Sequence, residues 1–207
     1  MKRKDIFYSL LNDFLQEEGF SLKRNLFEKK VGKNKFEIDF TIWPEFYQIE
    51  PSYRCYIPEI EQVKKNAFGS TYTKRFSLGR NHFQMNGRDL NATILITDTE
   101  EHAINSAKQE ISFYKERVSD FFLKSTDFIY LDSILNREPG KVLDIAFNSI
   151  DSSFLAIVVA YLTERENMEE ILEVYGKISS VDLEANSVII DEKLFAVLKD
   201  KVKNGEL

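Results

Sequence analysis

Arg80, Asn81, His82, Gln84, Asn86 and Arg88 form the densest polar cluster around a histidine in this chain. An imidazole among guanidinium groups can hold an anion or pass a proton. If residues 80–85 alternate as a strand, Arg80, His82 and Gln84 share one face, and Arg80, His82 and Arg88 become a candidate anion or small-ligand site. No serine or cysteine nucleophile can be set beside His82 from spacing alone, so a solvated hairpin tip explains the same residues. Glu37 and Asp39 project the same way on a strand, roughly 7 Å apart. That separation suits acid–base work, but it is commonplace, and Lys30 as cross-strand partner of Glu37 accounts for it. No catalytic residue is assigned, and a non-enzymatic reading is preferred. With two histidines and the lone Cys55, no zinc set can be assembled from sequence and no cofactor fingerprint stands out.

Two further groups could recognise a partner. Trp43, Phe46, Tyr47, Tyr53 and Tyr56 make an aromatic segment, and Trp and Tyr join large contact area to a polar handle. Trp43, Tyr47, Tyr53 and Tyr56 are therefore candidate protein-binding residues, with cover for a sheet edge as the plainer reading. Lys29, Lys30, Lys33 and Lys35 lie in a basic hairpin that could follow a phosphate backbone, or could merely protect an edge. An acidic stripe, Glu164, Glu166, Glu169, Glu170 and Glu173, reads as a solvated helix face or as a dock for a basic protein. Another protein is the preferred partner, nucleic acid the alternative, and a ligand or enzyme site near Arg80 and His82 a third reading.

Net charge is −6, but it is unevenly spread. Residues 1–97 carry 16 Lys/Arg against 12 Asp/Glu and residues 98–207 carry 12 against 22, which gives +4 and −10. Hydrophobic residues make up 43 % of the chain, enough for a sizeable core. The longest apolar run, Phe154–Leu162, falls short of the roughly 20 residues a bilayer span needs. With a single cysteine, which leaves no internal disulfide, this implies a cytoplasmic protein with no membrane partner.

The elements that must position these residues follow from periodicity. Phe36, Ile38, Phe40 and Ile42 alternate with Glu37, Asp39, Thr41 and Trp43, which predicts a half-buried strand ended by Pro44. Residues 21–31 should form its partner across Gly32-Lys33-Asn34, with Val31 opposite Phe36 and Phe27 opposite Phe40. Helical spacing predicts a helix over 4–18, stopped at Gly19. Pro58 should open a short helix that turns Ile60 and Val63 inward. Strands are expected over 71–78 and 91–97, the latter following an Asn86-Gly87 turn. Asp98 and Glu101 read as a capping box for a helix to about Lys124. Residues 127–137, 142–148, 152–164, 167–178 and 191–203 read as helices, with a late strand possible within 181–190.

The expected fold is α+β: an antiparallel sheet of about five strands with helices on one face, then an α-helical C-terminal lobe. The division is 1–124 for the sheet domain and 125–207 for the lobe, which could belong to the same domain. The opening helix, Gly19-Phe20 and the basic, Phe-rich hairpin resemble a loose group of uncharacterised bacterial α+β domains, some associated with toxin immunity. The resemblance covers about the first 45 residues and includes no functional motif. It implies at most an accessory or immunity-like role and assigns no site residue.

Overall fold

The computed structural model describes residues 3–68, 77–85, 95–140, 149–175 and 192–206. It is an α+β fold whose six-stranded sheet runs in the order β1-β2-β3-β4-β5, with β6 beside β4. The chain divides into two compact units, Met1–Cys55 with Gly79–Lys124, and Tyr56–Leu78 with Ser125–Leu207. The segment 56–78, expected with the sheet, clusters with the C-terminal helices.

In the first unit, α1 (Arg3–Glu17) ends at Gly19, whose φ of +86° is the left-handed conformation a helix stop requires. Gly19 N–H donates to the Gln16 carbonyl and Phe20 N–H to that of Leu15, which satisfies two terminal acceptors. The expected single strand over 21–31 is instead a hairpin of β1 (Ser21–Lys23) and β2 (Leu26–Val31), turned at Arg24-Asn25 with Arg24 at φ 65°. Strand β3 (Asn34–Trp43) then pairs with β2 across Gly32-Lys33, setting Phe27 opposite Ile38 and Val31 opposite Asn34. This register differs by two residues from the expected one. A shift of two leaves every side chain on its own face, so the apolar pattern cannot distinguish the two registers, and the tight turn at Gly32 decides between them.

Strand β4 (Gln48–Tyr56) contains Pro51 as a buried interior residue. It is flanked by β5 (Leu78–Asn81) and by the two-residue β6 (Leu95–Ile96), which pairs Gln48 with Ile96. Helix α3 (His82–Met85) replaces the expected alternation over 80–85. Asn81 N–H donates to Gln84 Oε1 at 2.9 Å and Gln84 N–H to Asn81 Oδ1 at 2.8 Å, a reciprocal cap that winds the chain into a turn. The Asn86-Gly87 turn lies outside the described residues, as do 71–76, 142–148 and 181–190.

Helix α4 (Glu100–Phe113) is capped by Thr99, whose hydroxyl accepts from His102 N–H, while Asp98 pairs with the His102 ring. A π turn at Tyr114–Val118 links α4 to α5 (Ser119–Lys124) inside what sequence reads as one helix. Helix α1 and the long helix pack on the same face of the sheet: Phe7 meets Phe40 edge-on at 5.6 Å, Tyr53 stacks on Phe113 at 6.0 Å and Phe36 on Phe122 at 5.0 Å. The opposite face is less wet than the alternation implied. Glu37 is buried beside Lys35 at 2.9 Å, and Arg54 holds Asp39 at 2.8 Å.

In the second unit, α2 (Pro58–Phe68) buries Ile60 and Val63 and carries the buried ion pair Lys64–Glu61, 3.1 Å long. Helices α6 (Phe128–Leu135), α7 (Ser149–Leu162), α8 (168–175) and α9 (Glu192–Asn204) complete it. Every residue from Phe154 to Ala160 is buried, which makes α7 its centre. The Asn136 amide donates to the Ala156 carbonyl at 2.9 Å, and the Tyr175 hydroxyl to that of Leu135 at 2.7 Å. No helix among the described residues is long and apolar enough to cross a membrane.

Candidate functional site

Pro44 lacks the N–H that would continue the β3 ladder, so the chain turns after Trp43 into a 3₁₀ turn over Pro44–Phe46. Tyr47 closes it in the left-handed region, φ 53° and ψ 34°, its N–H reaching the Pro44 carbonyl at 3.3 Å. Such a turn leaves the three large rings at its two ends without an inward face. Trp43, Phe46 and Tyr47 are 49 %, 63 % and 51 % exposed. The turn is nevertheless pinned, because the Tyr47 carbonyl accepts from Thr97 N–H at 2.8 Å and from its hydroxyl at 3.2 Å. The Arg3 guanidinium lies 5.7 Å from the Tyr47 ring centre, and Ile96, also exposed, extends the patch along β6.

The other aromatic candidates do not join this surface. Tyr53 is fully buried, and its hydroxyl donates to Glu110 Oε1 at 2.8 Å. Burial pushes the Glu110 carboxyl up to about 8, against the opposing pull of the Tyr53 hydrogen bond, so at neutral pH it is a neutral acid. The Tyr53 hydroxyl is raised well above its ordinary range by burial and by that same neighbour. Tyr56 is half-buried at the end of β4.

The basic hairpin is largely spent on its own surroundings. Lys23 pairs with Glu28 and Lys35 with Glu37, both at 2.9 Å. Lys29 lays its stem on Gly19 and its ammonium 5.5 Å from the Phe20 ring centre. Lys30 and Lys33 remain exposed. Lys33, in the turn before β3, is about 30 Å of extended strand from Trp43. Arg80 is half-buried in β5, while the His82 side chain and all of Arg88 lie outside the described residues. The strand alternation expected over 80–85 stops at Asn81, where α3 begins.

Phe46 belongs to the exposed cluster and was visible in the sequence as part of the aromatic run. Arg3 and Ile96 carried no such signal, since only the fold brings them to Tyr47. Comparison with protein-family models, with curated proteins and with solved structures finds no match for this chain.

Proposed function

We propose that this chain is a non-enzymatic protein-binding module, and that its partner is a protein presenting an apolar pocket rimmed by basic residues. The observation that carries this reading is the pinned, exposed cluster of Trp43, Phe46 and Tyr47. Rings held in water on a fixed turn are a standing cost that contact with an apolar partner would remove, at roughly 25 cal/mol per Å² of apolar area. The surroundings favour a basic rim over a polyanion. Glu45 sits inside the turn, and Asp98 and the acidic first turn of α4, Glu100 and Glu101, follow directly on Thr97, which bonds to Tyr47, while Arg3 lies over the Tyr47 ring. A nucleic acid stacked on these rings would meet that acidic rim, far from Lys30 and Lys33. An accessory or immunity-like role in the cytoplasm is the setting this reading assumes.

Trp43 is the only tryptophan, so its fluorescence reports on the site directly. A basic, apolar partner should shift its emission to the blue and shield it from acrylamide, and Phe46→Ala with Tyr47→Ala should weaken capture of that partner at least tenfold, as loss of a central anchor does. Partners that bind the double variant as tightly as the native chain, or leave Trp43 open to quencher, would remove the patch from consideration.

A further inference from the structure

Strand β6 has only two residues, yet the aromatic turn is tied to it. Ile96 stands opposite Gln48, while the next residue, Thr97, donates its N–H to the Tyr47 carbonyl at 2.8 Å. The alternation of an antiparallel ladder therefore turns the N–H and C=O of Ile96 away from β4. Left unpaired at the edge of a sheet, such groups invite a strand from another chain. Ser106 of α4 takes both: Ile96 N–H donates to its Oγ at 3.1 Å, and its hydroxyl donates to the Ile96 carbonyl at 2.7 Å. One hydroxyl can do this because it is both a donor and an acceptor. Within a helix a serine hydroxyl often turns back to the carbonyl four residues before it. Here it is buried and spent on β6, in the place of a neighbouring strand.

Two consequences reach the turn. Thr97 gives both its N–H and its hydroxyl to Tyr47, so holding Ile96 against α4 also holds the point from which the turn is tied. The edge is also closed, because an added strand would need the N–H and carbonyl that Ser106 occupies. A partner at this place meets the side chains of Ile96 and the turn instead. Glu110, one helical turn further along α4, is another polar tether to the sheet, but it accepts from Tyr53 in β4 and not from β6.

We propose, on the reading of the aromatic turn as the recognition surface, that Ser106 is its positioning residue: the hydroxyl fixes β6 to α4 and, through Thr97, holds the rings in the presented conformation. Amide exchange at Thr97, followed by NMR, and nanosecond anisotropy of Trp43, which opens the turn, test this in the full chain with no partner present. Ser106→Ala should speed exchange of the Thr97 N–H by about tenfold or more and add a fast component to the depolarisation of Trp43. Tyr53→Phe, which removes the Glu110 tether from the same helix, should change the Thr97 rate by less than about twofold. Circular dichroism on each variant confirms that the fold is intact. Unchanged exchange at Thr97 in Ser106→Ala, unaltered motion of Trp43, or an equal acceleration by Tyr53→Phe would each overturn the proposal. A partner that ignores the aromatic turn would instead remove the recognition reading and leave these results standing.

Discussion

Glu110 shows how much a single side chain can impose on this fold. A carboxylate cannot be left ionised among Tyr53, Phe113 and the sheet without a large desolvation cost, so it keeps its proton to about pH 8. Unfolded, the same group titrates near the ordinary value of 4.5. Between those values the native state binds more protons than the unfolded one, so its contribution to stability is complete below about pH 4.5 and is lost as pH rises through 8. Glu110→Gln keeps an acceptor for Tyr53 and abolishes the titration. Urea midpoints measured from pH 5 to 9 should fall with pH for the native chain relative to the variant, the gap reaching a few kcal/mol. Parallel curves would mean that Glu110 ionises normally. Tyr53→Phe removes the bond that holds the Glu110 value down, so the titration should move to higher pH.

Elements were legible where one pattern sufficed. The alternation over Phe36–Trp43 identified β3, helical spacing with Gly19 identified α1 and its stop, and Pro58 marked the start of α2. Register and local turns were not, because they rest on backbone conformations that composition does not announce. Arg24 and Glu164 both occupy left-handed φ values that a glycine or asparagine would have advertised. At His82 a cap from Asn81 and Gln84 outweighed an equally plausible alternation. Of the candidate surface, Trp43 and Tyr47 were visible as aromatics after a strand, whereas the burial of Tyr53 depends on a partner 57 residues away. Glu164 also supplies a prediction for its element. Glu164→Gly should relieve the end of α7 and raise stability by about 1 kcal/mol, read as a higher thermal midpoint. A lower midpoint would show that the glutamate side chain supports the fold at that turn.

At the scale of the whole molecule the two compact units do not follow chain order, and this affects how the protein can be cut. A boundary after Lys124 looks natural, since the long helix that packs on the sheet ends there. Yet Ile57, Ile60 and Val63 are buried in the second unit, where α2 packs with α7 and α9, and Lys201 donates to the Asn66 carbonyl. Removing residues 125–207 would return three apolar side chains to water, a loss of roughly 4–9 kcal/mol, comparable to the whole stability of many domains. Because α2 sits between β4 and β5 in the chain, its loosening acts on both strands at once. A fragment of residues 1–124 should therefore bind a hydrophobic dye, self-associate on size exclusion and show less helix than residues 1–124 contribute in the full chain. A monomeric fragment that ignores the dye would mean that α2 finds an equivalent seat without the C-terminal helices.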